Sequence, residues 1–203
     1  MKKCLIFLEK DYEKFSVDLL KTAEEMYGEG FESCALTFNA DIEAGRGKFN
    51  EIITVRDEKI RDFDVRSMIG VIEELYNQFH YNSILITATH FGRMLAPALA
   101  MRLRIGLVAD VAQIGHQEEK IEMIRPAFSG KILAGIVNVS GNTVMMSVRP
   151  GVFLYENLKE KDTKVWNYCP KNIECGKINR ISRVEKPVTS DIRDSEILVA
   201  GGG

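Results

Sequence analysis

Seven residues that begin at Thr87, in the run TATHFGR, are the best suited to bind a ligand. They join a predicted buried strand to a predicted helix, and ligands of open α/β sheets bind at such turns because the helix amino terminus offers free N–H groups. Thr87, Thr89 and Arg93 are candidates to contact a phosphate group. His90 is either an acid or base or an ordinary surface residue. A structural role is the alternative, in which Thr89 or Gly92 caps the helix and Arg93 pairs with a partner protein.

Three more charged residues each follow a predicted strand. Asp110 ends an apolar run and is placed either to accept a ribose hydroxyl or to form a cap or turn. Arg125 and Arg149 each precede a proline, which brings two guanidinium groups to one end of a β-rich section. They are candidates for a partner interface, because guanidinium groups clamp anions and the carboxylates of other chains. An internal ion pair explains both arginines equally well.

The residues that bind metals are too scattered to predict a metal site. They are His80, His90, His116, Cys4, Cys34, Cys169 and Cys175. Cys169 and Cys175 frame a short loop but lack the second pair of ligands that zinc sites use. Cys4 and Cys34 lie in apolar runs and are predicted to be small buried residues in a reducing compartment. Common enzyme motifs, including the phosphate loop and the nucleophile elbow, are missing, so we predict no catalytic constellation in this chain.

The overall composition argues against two classes of partner. Hydrophobic residues make up 45% of the 203 residues, and the formal net charge is −2. Nucleic-acid binding needs a basic surface, so this charge balance gives no reason to expect it. No apolar run approaches the ~18 residues of a membrane helix, so we expect no membrane insertion. A cytoplasmic protein is predicted, or a mitochondrial matrix protein if the source is eukaryotic.

Strand and helix patterns alternate through the first half of the chain. Apolar runs of strand length occupy residues 3–9, 33–38, 51–55, 83–87 and 105–109. Asp11 is the expected cap of a first helix that ends near Gly28, and helical spacing predicts two more helices over residues 64–79 and 92–104. This alternation predicts an α/β fold with a Rossmann-like, mostly parallel sheet flanked by helices.

The second half of the chain is predicted to be rich in β-structure. Residues 120–125, 131–139 and 143–148 have strand patterns, and the turn sequence SGN predicts a β-hairpin between the last two. Residues 155–196 are charged and irregular, and we expect short strands that lead into a linker. The final residues, EILVAGGG, combine a buried-strand pattern with three glycines, as at the start of a nucleotide-binding domain. An edge strand with a floppy tail is the alternative.

Three segments resemble the electron-transfer flavoprotein alpha subunit. They are TATHFGRMLAP with the following GLVAD that ends at Asp110, RPAFSGKILA from Arg125, and SVRPGVF from Ser147. The family patterns that they resemble are GR-x-LAP with GL-x-AD, RPAFGG and TVRPGVF. Their order and spacing match as well, and the resemblance covers residues 1–155.

The resemblance implies a fold, a partner and a cofactor. Residues 1–155 would be the amino-terminal α/β domain, of the adenine-nucleotide-hydrolase type, residues 156–195 an irregular extension and linker, and residues 196–203 the first strand of an FAD-binding domain. In the family, this first domain pairs with a beta subunit in a heterodimer. The FAD of the second domain carries electrons from flavin dehydrogenases to an acceptor, so the parent protein would be an electron carrier.

The flavin site would begin at the glycines that end this chain. Gly201, Gly202 and Gly203 resemble the family sequence VSGGR, and Gly203 stands where the family has an arginine that contacts FAD. We therefore expect the chain to stop as the FAD-binding domain begins, and to bind little FAD by itself. The main alternative is a free-standing domain that binds an adenine nucleotide through Thr89, Arg93 and the rest of their turn. A scaffold with no link to flavin is a third possibility.

Overall fold

The computed structural model describes residues 1–141, 143–156, 159–174, 176, 178–184 and 197–201. Its helices are α1 (Glu13–Tyr27), α2 (Arg66–Phe79) and α3 (Gly92–Leu103). Its first strands are β1 (Lys2–Phe7), β2 (Phe31–Phe38), β3 (Glu51–Val55), β4 (Ser83–Thr87) and β5 (Leu107–Val111). The later strands are β6 (Gln113–Gln117), β7 (Lys120–Ala127), β8 (Ile132–Val137), β9 (Val144–Val148) and β10 (Lys164–Asn167).

Seven strands form one parallel sheet in the order β10-β3-β2-β1-β4-β9-β5. Strands β6, β7 and β8 form a separate antiparallel sheet. Parallel neighbours need crossover connections, and helices supply them because each has one apolar face to bury. The predicted Rossmann-like α/β fold is confirmed.

Apolar clusters cover both faces of the parallel sheet. On one face, α1 packs through Leu20 and Ala23 beside Ile114 and Met123 of the antiparallel sheet. On the other face, α2 and α3 pack through residues such as Ile72 and Leu99. Strands that are buried on both faces have continuous apolar sequences rather than alternating ones. This is why short apolar runs in the sequence predicted the positions of β1 to β4.

Two predictions about the ends of helices and strands were wrong. Asp11 does not cap α1, because its backbone is left-handed (φ 67°) and Tyr12 is the residue that precedes the helix, with no side-chain cap. Strand β5 begins two residues later than predicted. Arg104 ends α3 in a left-handed conformation and the Ile105 N–H bonds the Ala100 carbonyl, so these residues complete the helix end. The predicted helix end at Gly28 is confirmed, with φ 68°.

The predicted hairpin between residues 131–139 and 143–148 was also wrong. Strand β9 lies in the parallel sheet between β4 and β5, whereas β8 pairs with β7. The SGN sequence therefore leads the chain from one sheet to the other, and its Asn142 lies outside the described residues. The hairpin section itself exists, but it is made by β6, β7 and β8. Strand β6 had not been predicted.

The described part of the extension runs along α2 instead of leaving the domain. Strand β10 adds to the edge of the parallel sheet beside β3. Beyond it, the Tyr168 hydroxyl and the backbone N–H groups of Lys171 and Asn172 donate to the Glu74 carboxylate. The Gly176 N–H then donates to Asp64, just before the start of α2. These contacts explain why an irregular, charged segment has a defined path. Residues 185–196 lie outside the described residues.

The last described segment, residues 197–201, forms no strand. The side chains of Ile197, Leu198 and Val199 are exposed. The prediction that these residues begin the first strand of a second domain stays a prediction. Within the described part of the chain, no helix combines the length and apolar character that crossing a membrane requires.

Candidate functional site

The turn that contains Thr89 lies at the carboxyl edge of the parallel sheet. Strand β4 ends at Thr87, beside β1, so the residues that follow these two strands meet. The Thr89 hydroxyl donates to the Glu9 carboxylate, with oxygen–oxygen distances of 2.7 and 2.9 Å. It also accepts the Gly92 N–H at 2.9 Å. Thr89 therefore ties the start of α3 to the end of β1.

Gly92 is required where α3 begins. A Cβ atom at this position would overlap the backbone carbonyl oxygen of Thr87. Only glycine allows the helix to start so close to the strand that precedes it. Gly92 was a candidate helix cap in the sequence, and in the structure it allows α3 to pack closely against the end of β4.

Glu9 is the residue at this turn that the sequence analysis missed. It was read only as the polar end of an apolar run, yet its side chain is buried, with 6% exposure. Burial raises the pKa of Glu9 to about 7, although the hydrogen bond from Thr89 opposes the rise. A carboxyl group directly after a buried parallel strand was the available signal, because that position opens on the ligand-binding edge of the sheet.

Two of the three side chains predicted to contact a phosphate already have hydrogen-bond partners within the chain. Thr89 bonds Glu9, and the Arg93 side chain donates its Nε–H to the Ala88 carbonyl oxygen at 3.0 Å. Thr87 is buried, and its hydroxyl lies 3.5 Å from that of Ser16. His90 is exposed. A carboxyl group beside the helix start repels a phosphate when it is ionised, so this turn is a poor anion site.

Asp110 brings the predicted arginines together. Strand β5 is irregular between Val108 and Val111, and Asp110 has a left-handed backbone (φ 64°) at that irregularity. Arg149 approaches the Asp110 carboxylate with Nη2 at 2.6 Å and Nε at 3.3 Å, and Arg93 Nη2 lies 3.4 Å away. The hydrogen bonds from Arg149 lower the pKa of Asp110 against the effect of partial burial. Asp110 is therefore already bonded rather than free for a ribose.

Arg125 differs from Arg149 in having no ion pair within the described residues. Its positive charge also lowers the pKa of Asp110, so it lies in the same cluster. Its Nε atom is buried and has no hydrogen-bond partner in the part of the chain that the structure describes. The internal ion pair that was offered as an alternative is therefore present for Arg149. Arg125 retains donor capacity beside the antiparallel sheet.

The antiparallel sheet presents an unusual amount of apolar surface. Its inner face holds Met123, whereas Pro126 and Leu133 are paired on its outer face. Leu133 is 65% exposed, and Phe128, just before β8, is 77% exposed. Strand β8 is an edge strand, because β7 is its one neighbour in the described sheet. Exposed apolar edge strands are uncommon in proteins that act alone, since they invite pairing with another chain.

Of the three glycines predicted to begin a flavin site, Gly201 is the one that lies among the described residues, and it is exposed. Its role in binding FAD stays a prediction. Gly202 and Gly203 lie outside the described residues.

Comparison with known proteins places these features in a family. The model of the electron transfer flavoprotein domain matches residues 35–168. The electron transfer flavoprotein subunit alpha of Clostridium acetobutylicum is 28% identical over 208 residues, which cover 95% of this chain and 61% of that protein. Protein FixB of Clostridium saccharobutylicum is 29% identical over 96% of this chain and 61% of its own length.

A third relative is named as a subunit of a lactate dehydrogenase. The lactate dehydrogenase (NAD(+),ferredoxin) subunit LctC of Acetobacterium woodii is 30% identical over 71% of this chain and 35% of its own length. The chain thus spans about three fifths of the length of the first two relatives. The family match covers well over half of the chain, and its matched range runs from the middle of β2 to the end of β10. The chain belongs to the electron transfer flavoprotein family.

Proposed function

We propose that this chain is the amino-terminal, beta-subunit-docking region of an electron transfer flavoprotein alpha subunit. The parent protein would carry electrons from flavin dehydrogenases to an acceptor through FAD. The names of the relatives that cover 95% or more of the chain support this function. The observation that carries the docking role is the exposed edge strand β8, with Leu133 and the neighbouring Phe128 open to solvent.

The chemistry of this surface suits a protein partner. Phe128 and Leu133 would supply apolar area, whereas Arg125 lies on the opposite face of the sheet, with Met123, and would belong to a separate part of the partner surface. Interfaces between proteins have a desolvated centre of apolar and aromatic side chains, which matches Phe128 and Leu133. An edge strand also offers backbone N–H and C=O groups to a strand of the partner. Arg149 is a weaker candidate, because Asp110 already holds its guanidinium group.

A charge placed on β8 tests the docking role. The full chain, with and without Leu133→Lys, would be titrated with an electron transfer flavoprotein beta subunit, using calorimetry. We expect the variant to bind at least about tenfold more weakly, because truncating or charging a buried interface anchor costs about 2 kcal/mol.

Met101→Lys is the matched control for this experiment. Met101 is also an exposed apolar residue, but it lies on α3, away from the antiparallel sheet. This variant should bind the beta subunit like the unchanged chain. Unchanged binding by Leu133→Lys, or weakened binding by Met101→Lys alone, would place the interface elsewhere and contradict the proposal.

The flavin part of the proposal has its own test. The visible absorption of this chain would be compared with that of a version extended to the end of its reading frame, each co-expressed with the beta subunit. We expect the extended protein alone to be yellow, because the residues that hold FAD would follow Gly201. A yellow 203-residue chain would contradict this placement of the flavin.

The alternative, an adenine-nucleotide-binding domain, has less support because Thr89 and Arg93 are engaged with Glu9 and Ala88. Titration with AMP or ATP separates the two functions. Binding that is lost in Arg93→Ala would favour the nucleotide site. A cytoplasmic location, or the mitochondrial matrix in a eukaryote, belongs to the same proposal and is supported by the buried free thiols of Cys4 and Cys34.

A further inference from the structure

A cavity of about 490 Å³ opens at the carboxyl ends of β1 and β2. Binding sites for small molecules typically occupy roughly 300–1,000 Å³, and in open α/β sheets they lie at this edge. The cavity is separate from the exposed face of the antiparallel sheet, to which the docking role was assigned. Its principal walls are Phe7, Glu9, Tyr12, Phe38, Phe63 and Phe91.

Five aromatic side chains line this cavity. The ring of Phe7 lies 6.2 Å from that of Phe38 and 6.2 Å from that of Phe91, between centroids. Phe63 closes another side, and the guanidinium carbon of Arg180 lies 4.2 Å from its ring centroid. Aromatic rings pack edge-to-face or offset against other rings, so a flat aromatic molecule fits such walls better than a sugar or an aliphatic chain.

The buried Glu9 carboxyl group lies in the cavity wall and can accept further hydrogen bonds. The Thr89 hydroxyl is the recorded donor to its carboxyl group among the described residues, and it supplies a single hydrogen. An ionised carboxylate accepts about four hydrogen bonds. A buried carboxylate with one donor is costly for the protein, and a ligand that supplies N–H donors would offset that cost.

The charged groups around Glu9 determine whether the cavity favours a cationic or an anionic ligand. Asp11 and Glu13, from the loop after β1 and the start of α1, both act on Glu9 in the direction that raises its pKa. At the mouth, Arg61 donates to the Ile178 carbonyl, and Asp62 pairs with Arg180. Lys10 also lines the mouth. With Glu9 in the wall, Asp11 at the mouth and Glu13 at the start of α1, three carboxyl groups lie near this cavity, which disfavours an anionic ligand.

We propose that this cavity binds a small flat aromatic molecule whose edge carries a cationic or amino group that donates N–H bonds to Glu9. The ring would pack against Phe63 and Phe91, whose side chains are partly exposed, and the N–H groups would use the free acceptor sites of the Glu9 carboxylate. Phosphate-bearing and carboxylate-bearing aromatic molecules are excluded by the same carboxyl groups. This site is independent of the docking function, because none of its walls belongs to β6, β7 or β8.

Benzamidine is the probe that tests the proposal, because its amidinium group can donate two N–H bonds to one carboxylate. The full 203-residue chain, labelled with ¹⁵N, would be titrated with benzamidine and, separately, with benzoate, which has the same ring and the opposite charge. We expect saturable shifts from benzamidine at the N–H groups of Phe7, Phe38 and Phe91, and none there from benzoate. This comparison uses the unchanged protein, so it does not depend on whether a variant folds.

Two variants identify the group that is responsible. Glu9→Gln keeps the shape of the side chain but removes its charge, and benzamidine should bind about tenfold more weakly, as expected when a charge-assisted hydrogen bond is lost. Asp11→Asn removes an exposed carboxylate at the mouth and should change the affinity by less than about twofold. Benzamidine binding should also strengthen as pH rises from 6 to 8, because Glu9 becomes ionised.

Three results would overturn the proposal. Benzoate or AMP could bind the cavity as well as benzamidine does, which would make it an anion site. Glu9→Gln could retain full affinity while Asp11→Asn loses it, which would move the interaction to the surface. Shifts from benzamidine could map outside the cavity, which would leave the aromatic walls without a ligand of this class.

Discussion

The two sheets of this protein differ in how far their apolar side chains are buried. In the parallel sheet, Leu85 on β4 is fully buried, because helices cover both faces. In the antiparallel sheet, Leu133 on β8 is 65% exposed, because the inner face alone packs against the domain. A leucine therefore stabilises the core in the parallel sheet, whereas in the antiparallel sheet it forms part of the exposed apolar surface. Burial, and not β-propensity, separates a core strand from a docking strand.

The polar groups of the two sheets differ in the same way. At the carboxyl edge of the parallel sheet, Glu9 and Thr89 are buried and bonded to each other. On the antiparallel sheet, the Glu122 carboxylate lies across the outer face, near Gly115 and Gly135. The polar groups of the first region are shielded from water and bond to each other, whereas those of the second can exchange partners with water or another protein.

The largest expected contrast is between two leucines. Leu85→Ala should lower the free energy of unfolding by about 3–4 kcal/mol, because it leaves a cavity in a fully packed core. Leu133→Ala should lower it by less than about 1 kcal/mol, because the side chain is mostly exposed. Urea unfolding followed by circular dichroism measures both. Equal losses would mean that the antiparallel sheet is as buried in solution as the parallel one.

Two glycines give the next contrast. A Cβ atom at Gly92 would overlap the Thr87 backbone carbonyl, and one at Gly135 would overlap the Glu122 carboxylate. We expect Gly92→Ala to destabilise the protein by about 3 kcal/mol, because the backbone of β4 and α3 has no room to move. Gly135→Ala should cost less than about 1 kcal/mol, because the end of the Glu122 side chain can swing away.

Thermal unfolding of both variants at one pH would measure the difference. Gly70→Ala is the control for a helical position, since nothing lies within 4 Å of its Cβ. It should raise stability by up to about 1 kcal/mol, because alanine favours the helix over glycine. A Gly92→Ala variant as stable as Gly70→Ala would contradict the close approach of α3 to β4.

The pH dependence of stability tests the buried carboxyl group. The pKa of Glu9 is raised from 4.5 to about 7, so the folded state binds its proton more tightly than the unfolded state does. The contribution of Glu9 to the free energy of unfolding is fully present below pH 4.5 and is lost as the pH rises through 7. Unfolding free energies should therefore fall by about 2 kcal/mol more in the unchanged chain than in Glu9→Gln between pH 5 and pH 7.5.

Glu122→Gln provides the matched control on the other sheet. It also replaces one glutamate by glutamine, and it should follow the unchanged chain over this pH range. Chemical unfolding at several pH values gives the comparison. Parallel curves for the unchanged chain and Glu9→Gln would show that Glu9 is not buried as described.

The smallest expected effect lies where the two sheets meet, at Asp110 and Arg149. Asp110→Asn should cost less than about 1 kcal/mol at pH 7, because both side chains are partly exposed to solvent. The pKa of Asp110 is lowered, so this stability is present above its ordinary pKa of 3.8 and is lost as pH falls below it. The difference between the urea midpoints of the two proteins should therefore shrink as pH falls below 3.8. A difference that does not change with pH would mean that Asp110 acts through packing rather than charge.

Sequence reasoning performed best for residues whose neighbours lie close in the chain. The bounds of β3 and β4 were predicted to the residue, and Gly28 was correctly predicted to end α1. These features follow from local hydrophobic runs and from the backbone freedom of glycine. Asp11 was misread because its side chain suits a helix cap, while its left-handed backbone excludes that role.

The candidate site was predicted only in part. Thr89, Arg93 and Asp110 were singled out because they follow strands, and they do lie at the carboxyl edge of the sheet. Their partners could not be foreseen, since Glu9 and Thr89 are 80 residues apart in sequence. Arg149 and Asp110 are 39 residues apart. No local pattern records which strand ends become neighbours.

The sequence by itself determined the class of fold, because alternating strand and helix patterns allow few arrangements other than a parallel sheet with helices on its faces. It also carried the family motifs. Tertiary structure alone decided that β9 enters the parallel sheet between β4 and β5, and that β8 is left as an exposed edge. The physical reason is that strand pairing depends on which surfaces remain to be buried once the chain has folded back on itself, and apolar strands of similar composition compete for the same positions.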